Sequence, residues 1–232
     1  MSAPEIAEPL PAPTAIIDAI AAPNRAALQS AATEGRLEAA TAYTFPELAP
    51  RASWVGVIGG VIGFFTFLTA VPMTVTAYLA HSHSDTLQMQ GFVLFALVLV
   101  NLALGFGMLV GHEWLHAQVA RALGAKPTLA PGAGERLQWR AAMQGFGRAS
   151  YAAVLLGPLV IGAVLWLILW ALAPIVAAFL IVAATVNAAM SGADLWTLLV
   201  ALSQPAEEVA FVDQHPGFLA YRIAAAPVAT TA

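Results

Sequence analysis

The sequence predicts an all-α integral membrane protein: four transmembrane helices, with a disordered or partly helical N-terminal tail. Three observations carry that expectation. First, the 232 residues are 60% hydrophobic and only 9% charged, whereas a soluble domain carries about 25% charged residues. So few charges cannot cover a water-facing surface. Second, the chain contains charge-free runs long enough to cross a hydrocarbon layer of about 30 Å, which takes about 20 apolar residues. Third, all nine Lys and Arg residues fall on one side of a four-span arrangement, as the bias of basic residues toward the cytoplasm requires.

Taken in order, residues 1–52 are rich in Ala, Pro and Glu, with six acids and three arginines. Helix formers from Asn24 to Tyr43 follow a capping Asn, but their apolar face is mostly alanine and buries little area. A solvated cytoplasmic tail is expected. No basic patch followed by an apolar core opens the chain, so no cleaved signal is expected and the first span directs insertion. No charged residue occurs from Ala52 to Ser84, which places the first span at 54–80. A polar loop, His81 to Gln90, leads to a second span at 91–123. The loop from Gly124 to Arg148 is polar and contains Gly and Pro. The uncharged run from Ala149 to Ala193 holds 45 residues, too many for one crossing, and Pro174 marks the break. The third and fourth spans are therefore expected at 150–172 and 175–202. Residues 53–203 form the membrane domain and 204–232 a soluble C-terminal tail. Trp54, Trp166 and Trp170 fall near the expected interfaces, where aromatic rings are favoured.

Composition also excludes. With no cysteine, disulfides and thiolate-ligated zinc are impossible, and any metal must use His, Asp or Glu. A net charge of -4 gives no reason to expect a nucleic-acid partner. The lipid bilayer is the one partner composition demands.

The chemistry concentrates in His112-Glu113-Trp114-Leu115-His116, an H-E-x-x-H pattern near the end of the second span. On a helix, residues four apart share a face, so both imidazoles can reach one metal ion, and Glu113 can take a proton from an attacking water. Ionisable side chains at membrane depth are costly and are functional by default. Catalytic zinc takes three protein ligands, so a third is needed. His81, His83 and Asp85 lie across the membrane, and Glu135 and His215 lie in soluble segments. Asp194 is the other acid inside a span. The second and fourth spans run the same way: His112 lies about 32 Å beyond Gly91 and Asp194 about 29 Å beyond Ile175 at 1.5 Å per residue, so the two are level. Ser191-Gly192 is expected to loosen the helix and aim the carboxylate. Asn187, two turns before Asp194, either bonds a substrate carbonyl or developing oxyanion or makes an ordinary bond between helices. Pro158, after Gly157, frees a backbone carbonyl and kinks the third span. His81 and His83 read as a solvated loop, and Glu207, Glu208 and Asp213 as a solvated acidic tail.

These residues carry a resemblance. H-E-W-L-H at 112–116 with R-A-L-G-A-K-P at 121–127 resembles the bacterial putative zincin peptidases, an integral-membrane family. So do R-A-S-Y-A-A-V-L-L-G-P-L-V at 148–160, N-A-A-M-S-G-A-D-L-W at 187–196 and the tail at 207–221. The resemblance covers roughly 90–221. The motif order is also similar to that of site-2 proteases, which pair H-E-x-x-H with a downstream aspartate. This chain departs from their pattern: no Pro follows Asn187, and Leu195 rather than Gly follows Asp194. The resemblance implies Zn2+ on His112, His116 and Asp194, with Glu113 as catalytic base. It further implies a multi-pass protein of the bacterial cytoplasmic membrane; the one-sided basic residues predict that both termini are cytoplasmic. The expected activity is zinc-dependent endopeptidase cleavage of a membrane-protein or peptide substrate near the cytoplasmic face. A metal-binding transport or sensor protein and a catalytically silent adaptor remain the alternatives. The sequence leaves the substrate, the role of residues 1–52 and the choice between monomer and homo-oligomer open.

Overall fold

The computed structural model describes residues 13, 15–17, 25–44, 47–49, 52–83, 91–131, 137–140, 144–204, 209–213 and 217–224. Asp85, Glu135, Glu207, Glu208 and His215 lie outside them. Four helices are long and apolar enough to cross a membrane: α2 (Trp54–Ser82), α3 (Gly91–Ala122), α4 (Arg148–Leu172) and α6 (Ile181–Ser203). A shorter α1 (Arg25–Thr33) precedes them and α5 (Pro174–Ala178) separates the last two. The bundle is apolar outside and small or polar inside. Phe106 is 72% exposed and Val110 71%, whereas Ala120, Asn101, Ser150, Ser191 and Thr197 are buried. Such an exterior suits lipid rather than water.

The first three spans begin and end within two residues of their expected positions. The fourth starts later, at Ile181 rather than 175. Pro174 does interrupt the apolar run, but it also opens α5, because a first-turn residue needs no N–H partner. The chain then turns at Phe179 and Leu180 before α6 begins. Such a break exposes backbone groups that lipid cannot satisfy. Asn101 of α3 satisfies two of them: its Nδ2 donates to the Ala178 carbonyl at 2.9 Å and its Oδ1 accepts from the Val182 N–H at 3.0 Å.

α6 packs against α2, α3 and α4 and is the most buried of the four spans. Close approach to α2 is possible because the facing residues lack side chains. A Cβ on Gly192 would come within 2.6 Å of Gly59 Cα, and one on Gly63 within 2.9 Å of Ala189 Cβ. Small residues at such seams let membrane helices gain dispersion contact where lipid already removes the hydrophobic advantage.

A five-stranded sheet completes the fold, in the order β1-β7-β8-β9-β2. It is built from β1 (Ala15–Ile17), β2 (Leu37–Thr44), β7 (Gln144–Phe146), β8 (Val209–Asp213) and β9 (Gly217–Ile223). Two small pairs form separate sheets: β3 (Glu47–Ala49) with β4 (Ala52–Ser53), and β5 (Thr128–Pro131) with β6 (Leu137–Arg140). The helical class stands, and part of the N-terminal tail is helical as α1. The strands are the addition, and they hold the N-terminal segment, the 124–148 loop and the C-terminal segment together at one end of the bundle. Their two-residue alternation buries both faces. Phe211, Phe218 and Ala220 pack against Phe146, Tyr151, Leu155 and the ends of α3 and α6. Ala210 and Tyr221 face α1. Tyr151 stacks on Phe211 at 5.2 Å and 4°, and Phe211 meets Phe218 edge-on at 5.4 Å and 75°.

α3 delivers its chain to β5 through Gly124, whose φ of 95° is a left-handed conformation that favours glycine. The Ala125 N–H then closes on the Ala120 carbonyl at 2.9 Å. Arg148, opening α4, caps α6 by donating to the carbonyls of Leu202 and Gln204 at 3.3 and 2.6 Å. Trp170 of α4 ties the far half of the bundle by donating to the Met73 carbonyl at 2.9 Å.

Overpacking a close-packed seam costs about 1–3 kcal/mol or more. Gly192→Leu is therefore expected to lower the thermal midpoint in detergent or abolish folding. Gly60→Leu, where an added Cβ meets nothing within 4 Å, is expected to leave the midpoint unchanged.

Candidate metal centre

Three helices reach the site at one level. His112 lies ten residues before the end of α3, Asp194 nine before the end of α6, and Pro158 ten after the start of α4. At 1.5 Å per residue each is about 15 Å from the sheet end of the bundle. The helical spacing puts both imidazoles of α3 on the face that meets α6. His112 Nε2 lies 3.0 Å from Asp194 Oδ2, His116 Nε2 lies 3.4 Å from the same oxygen, and the two Nε2 atoms are 3.2 Å apart. His112 is 2% exposed, His116 14% and Asp194 15%. His112 is thus fully enclosed, while His116 and Asp194 are partly accessible.

The outer nitrogens explain why this triangle fits a cation. His116 Nδ1 is 2.8 Å from the Val154 carbonyl, which can only accept, so Nδ1 carries the hydrogen. His112 Nδ1 is 2.9 Å from Asn187 Oδ1. That amide is oriented in turn by Nδ2 donating to the Pro158 carbonyl at 2.8 Å, so His112 Nδ1 also donates. With both Nδ1 hydrogens committed outward, a neutral form of each ring would turn its Nε2 lone pair inward, toward a carboxylate oxygen. Three acceptors then face one another with no donor among them, which is unfavourable unless a positive charge sits between. Their edges of 3.0, 3.2 and 3.4 Å match the spacing of about 3.3 Å between tetrahedral ligands with zinc bonds of about 2.0–2.1 Å. Among the described residues, His112, His116 and Asp194 are the group of three able to hold one ion.

Glu113 follows His112 on α3 and is half-buried. Asn187 differs from the substrate or oxyanion contact weighed for it. It is 2% exposed, and both ends of its amide are engaged by His112 and Pro158, so it makes a bond between helices and steadies His112. Ser191-Gly192 does not loosen α6, which runs unbroken. Ser191 Oγ donates to the Asn187 carbonyl at 2.9 Å, and Gly192 admits α2. His81 and His83 are exposed at the far end of α2, away from the site. The carbonyl that Pro158 frees is that of Val154, four residues earlier, and the structure adds its role as the partner of His116.

Residues 105–209 match a family model described as "Putative zincin peptidase". The match takes in α3 from Gly105, α4 and α6, and hence every residue of the triangle, and it points to a zinc metallopeptidase. No curated protein and no solved structure gives a significant match.

The geometry predicts one divalent ion per chain. His112→Ala, His116→Ala and Asp194→Ala are each expected to lower zinc affinity by at least tenfold, as read by chelator competition on the purified protein. Glu113→Ala is expected to keep affinity close to that of the parent.

Proposed function

We propose that the protein is a zinc-dependent endopeptidase that hydrolyses membrane-associated protein substrates near the cytoplasmic face of a bacterial inner membrane. The observation that carries this reading is the convergence of two inward-facing imidazole Nε2 atoms and a carboxylate, beside a glutamate, inside an apolar bundle. His112, His116 and Asp194 are assigned as the zinc ligands and Glu113 as the general base. A zinc ion held there supplies Lewis-acid activation of a water and of the scissile carbonyl.

The chain's own residues do the rest. The Glu113 carboxylate takes a proton from the attacking water and passes it to the leaving amine, a role that typically contributes about 10²–10⁴-fold. Asn187 and the Val154 carbonyl hold the histidine rings so that the ligand geometry is set before substrate arrives. The partly accessible side of the cluster, at His116 and Asp194, is the side assigned to substrate and water. A helical substrate must unwind there, since an intact helix keeps its carbonyls engaged. The assignment of both termini to the cytoplasm rests on the side shared by all nine basic residues. The sheet that joins the two terminal segments agrees with an even number of crossings. A glutamate at Glu113 favours hydrolysis over transport or sensing, since a pure binding site has no use for an extra carboxylate.

Glu113→Gln is the deciding variant. It is expected to retain zinc while cleavage of a membrane substrate falls by about 10²-fold or more. Unchanged cleavage removes the hydrolytic reading. Treatment with a chelator is expected to abolish cleavage by the parent protein and added zinc to restore it.

A further inference from the structure

Pro158 lies in α4 and contributes no side-chain ligand. We infer that Pro158 is a positioning residue for both histidines of the metal centre, acting through two backbone carbonyls. The inference rests on the metallopeptidase reading above.

The first carbonyl is that of Val154. In an uninterrupted helix it accepts the N–H of the residue four positions on. That residue is Pro158, which has no N–H. The carbonyl is therefore available, and His116 Nδ1 donates to it at 2.8 Å. The second carbonyl is Pro158's own. It receives Asn187 Nδ2 at 2.8 Å, which turns Asn187 Oδ1 toward His112 Nδ1 at 2.9 Å. The missing N–H of Pro158 thus fixes the ring of His116 directly, and the backbone carbonyl of the same residue fixes the ring of His112 through one amide.

The surrounding residues are shaped for this. Gly157 lets α3 approach: a Cβ there would lie 2.5 Å from Val119 Cγ2. Gly162 leaves room for the Asn187 amide, since a Cβ there would collide with its Nδ2. Pro158 itself is fully buried, and α4 continues as helix beyond it to Leu172. The interruption therefore redirects hydrogen bonds without ending the span. Groups that hold ligating histidines in this way are typically worth about 10–100-fold in metal affinity.

The test uses the full-length protein in detergent, with zinc affinity measured by chelator competition and the absorption spectrum of the cobalt-loaded protein as a second readout. Pro158→Ala restores the N–H to α4. It is expected to lower zinc affinity about 10–100-fold and to shift the cobalt bands. Pro72→Ala makes the same change inside α2 and is expected to alter neither. Gly162→Ala, which keeps Pro158 and displaces only the Asn187 amide, is expected to lower affinity as well. It decides the matter if Pro158→Ala does not fold. Parental affinity and spectrum in a folded Pro158→Ala, or parental affinity in Gly162→Ala if Pro158→Ala does not fold, overturn the positioning role. Absence of zinc binding by the parent protein overturns the metallopeptidase reading instead.

Discussion

The structure depends on one electrostatic arrangement: a carboxylate from α6 set against two imidazoles from α3 inside a largely apolar bundle. Charge at membrane depth costs at least a few kcal/mol. Each group therefore has to be met by the others or by a cation, and every neighbouring element is shaped by that need. α6 must come close enough to α3 to deliver Asp194. It is held on its other side by α2, through a seam at Gly59 and Gly192 that admits no side chain. α4 closes the third side and supplies carbonyls rather than charges.

The sheet serves the same arrangement from outside the apolar layer. Its aromatic face gathers Phe146, Tyr151, Phe211 and Phe218 over the ends of α3, α4 and α6. These are the helices that carry the site. Fixing three helix ends about 15 Å from the metal ligands limits how far the helices can slide or rotate relative to one another. At the far half, Asn101 does comparable work by bridging the break between α5 and α6. Two buried asparagines of the bundle thus divide the work, Asn187 beside the candidate ligands and Asn101 at interrupted backbone.

Much of this was legible in the sequence, for physical reasons that can be named. Spans are read from length and hydropathy because lipid tolerates little else, and the histidine pair is read from helical periodicity. Asp194 could be matched to His112 because parallel helices share a constant rise. What escaped was information that one element cannot carry alone. The strands are short, and their alternation gives two moderately apolar faces instead of one strong one. That pattern makes sense only once α1 covers one face and the bundle the other. Asn187 was open between substrate contact and a bond between helices until its partners were in view. The late start of α6 follows from Pro174 opening a helix of its own, where a proline signal alone marks only a break.

The pairing of β2 with β9 joins a strand that precedes every span to one that follows them all. Synthesis is sequential, so the histidine pair is made before Asp194. The clasp between the ends of the chain can close only after the final span has been released. Closing so long a loop carries an entropic cost, which is recovered only when the last strands dock. A chain that stalls or is cut short before that moment would hold its histidines without their third partner or the lid over the bundle. Assembly of the cluster is in this way tied to synthesis of the segments that follow α6.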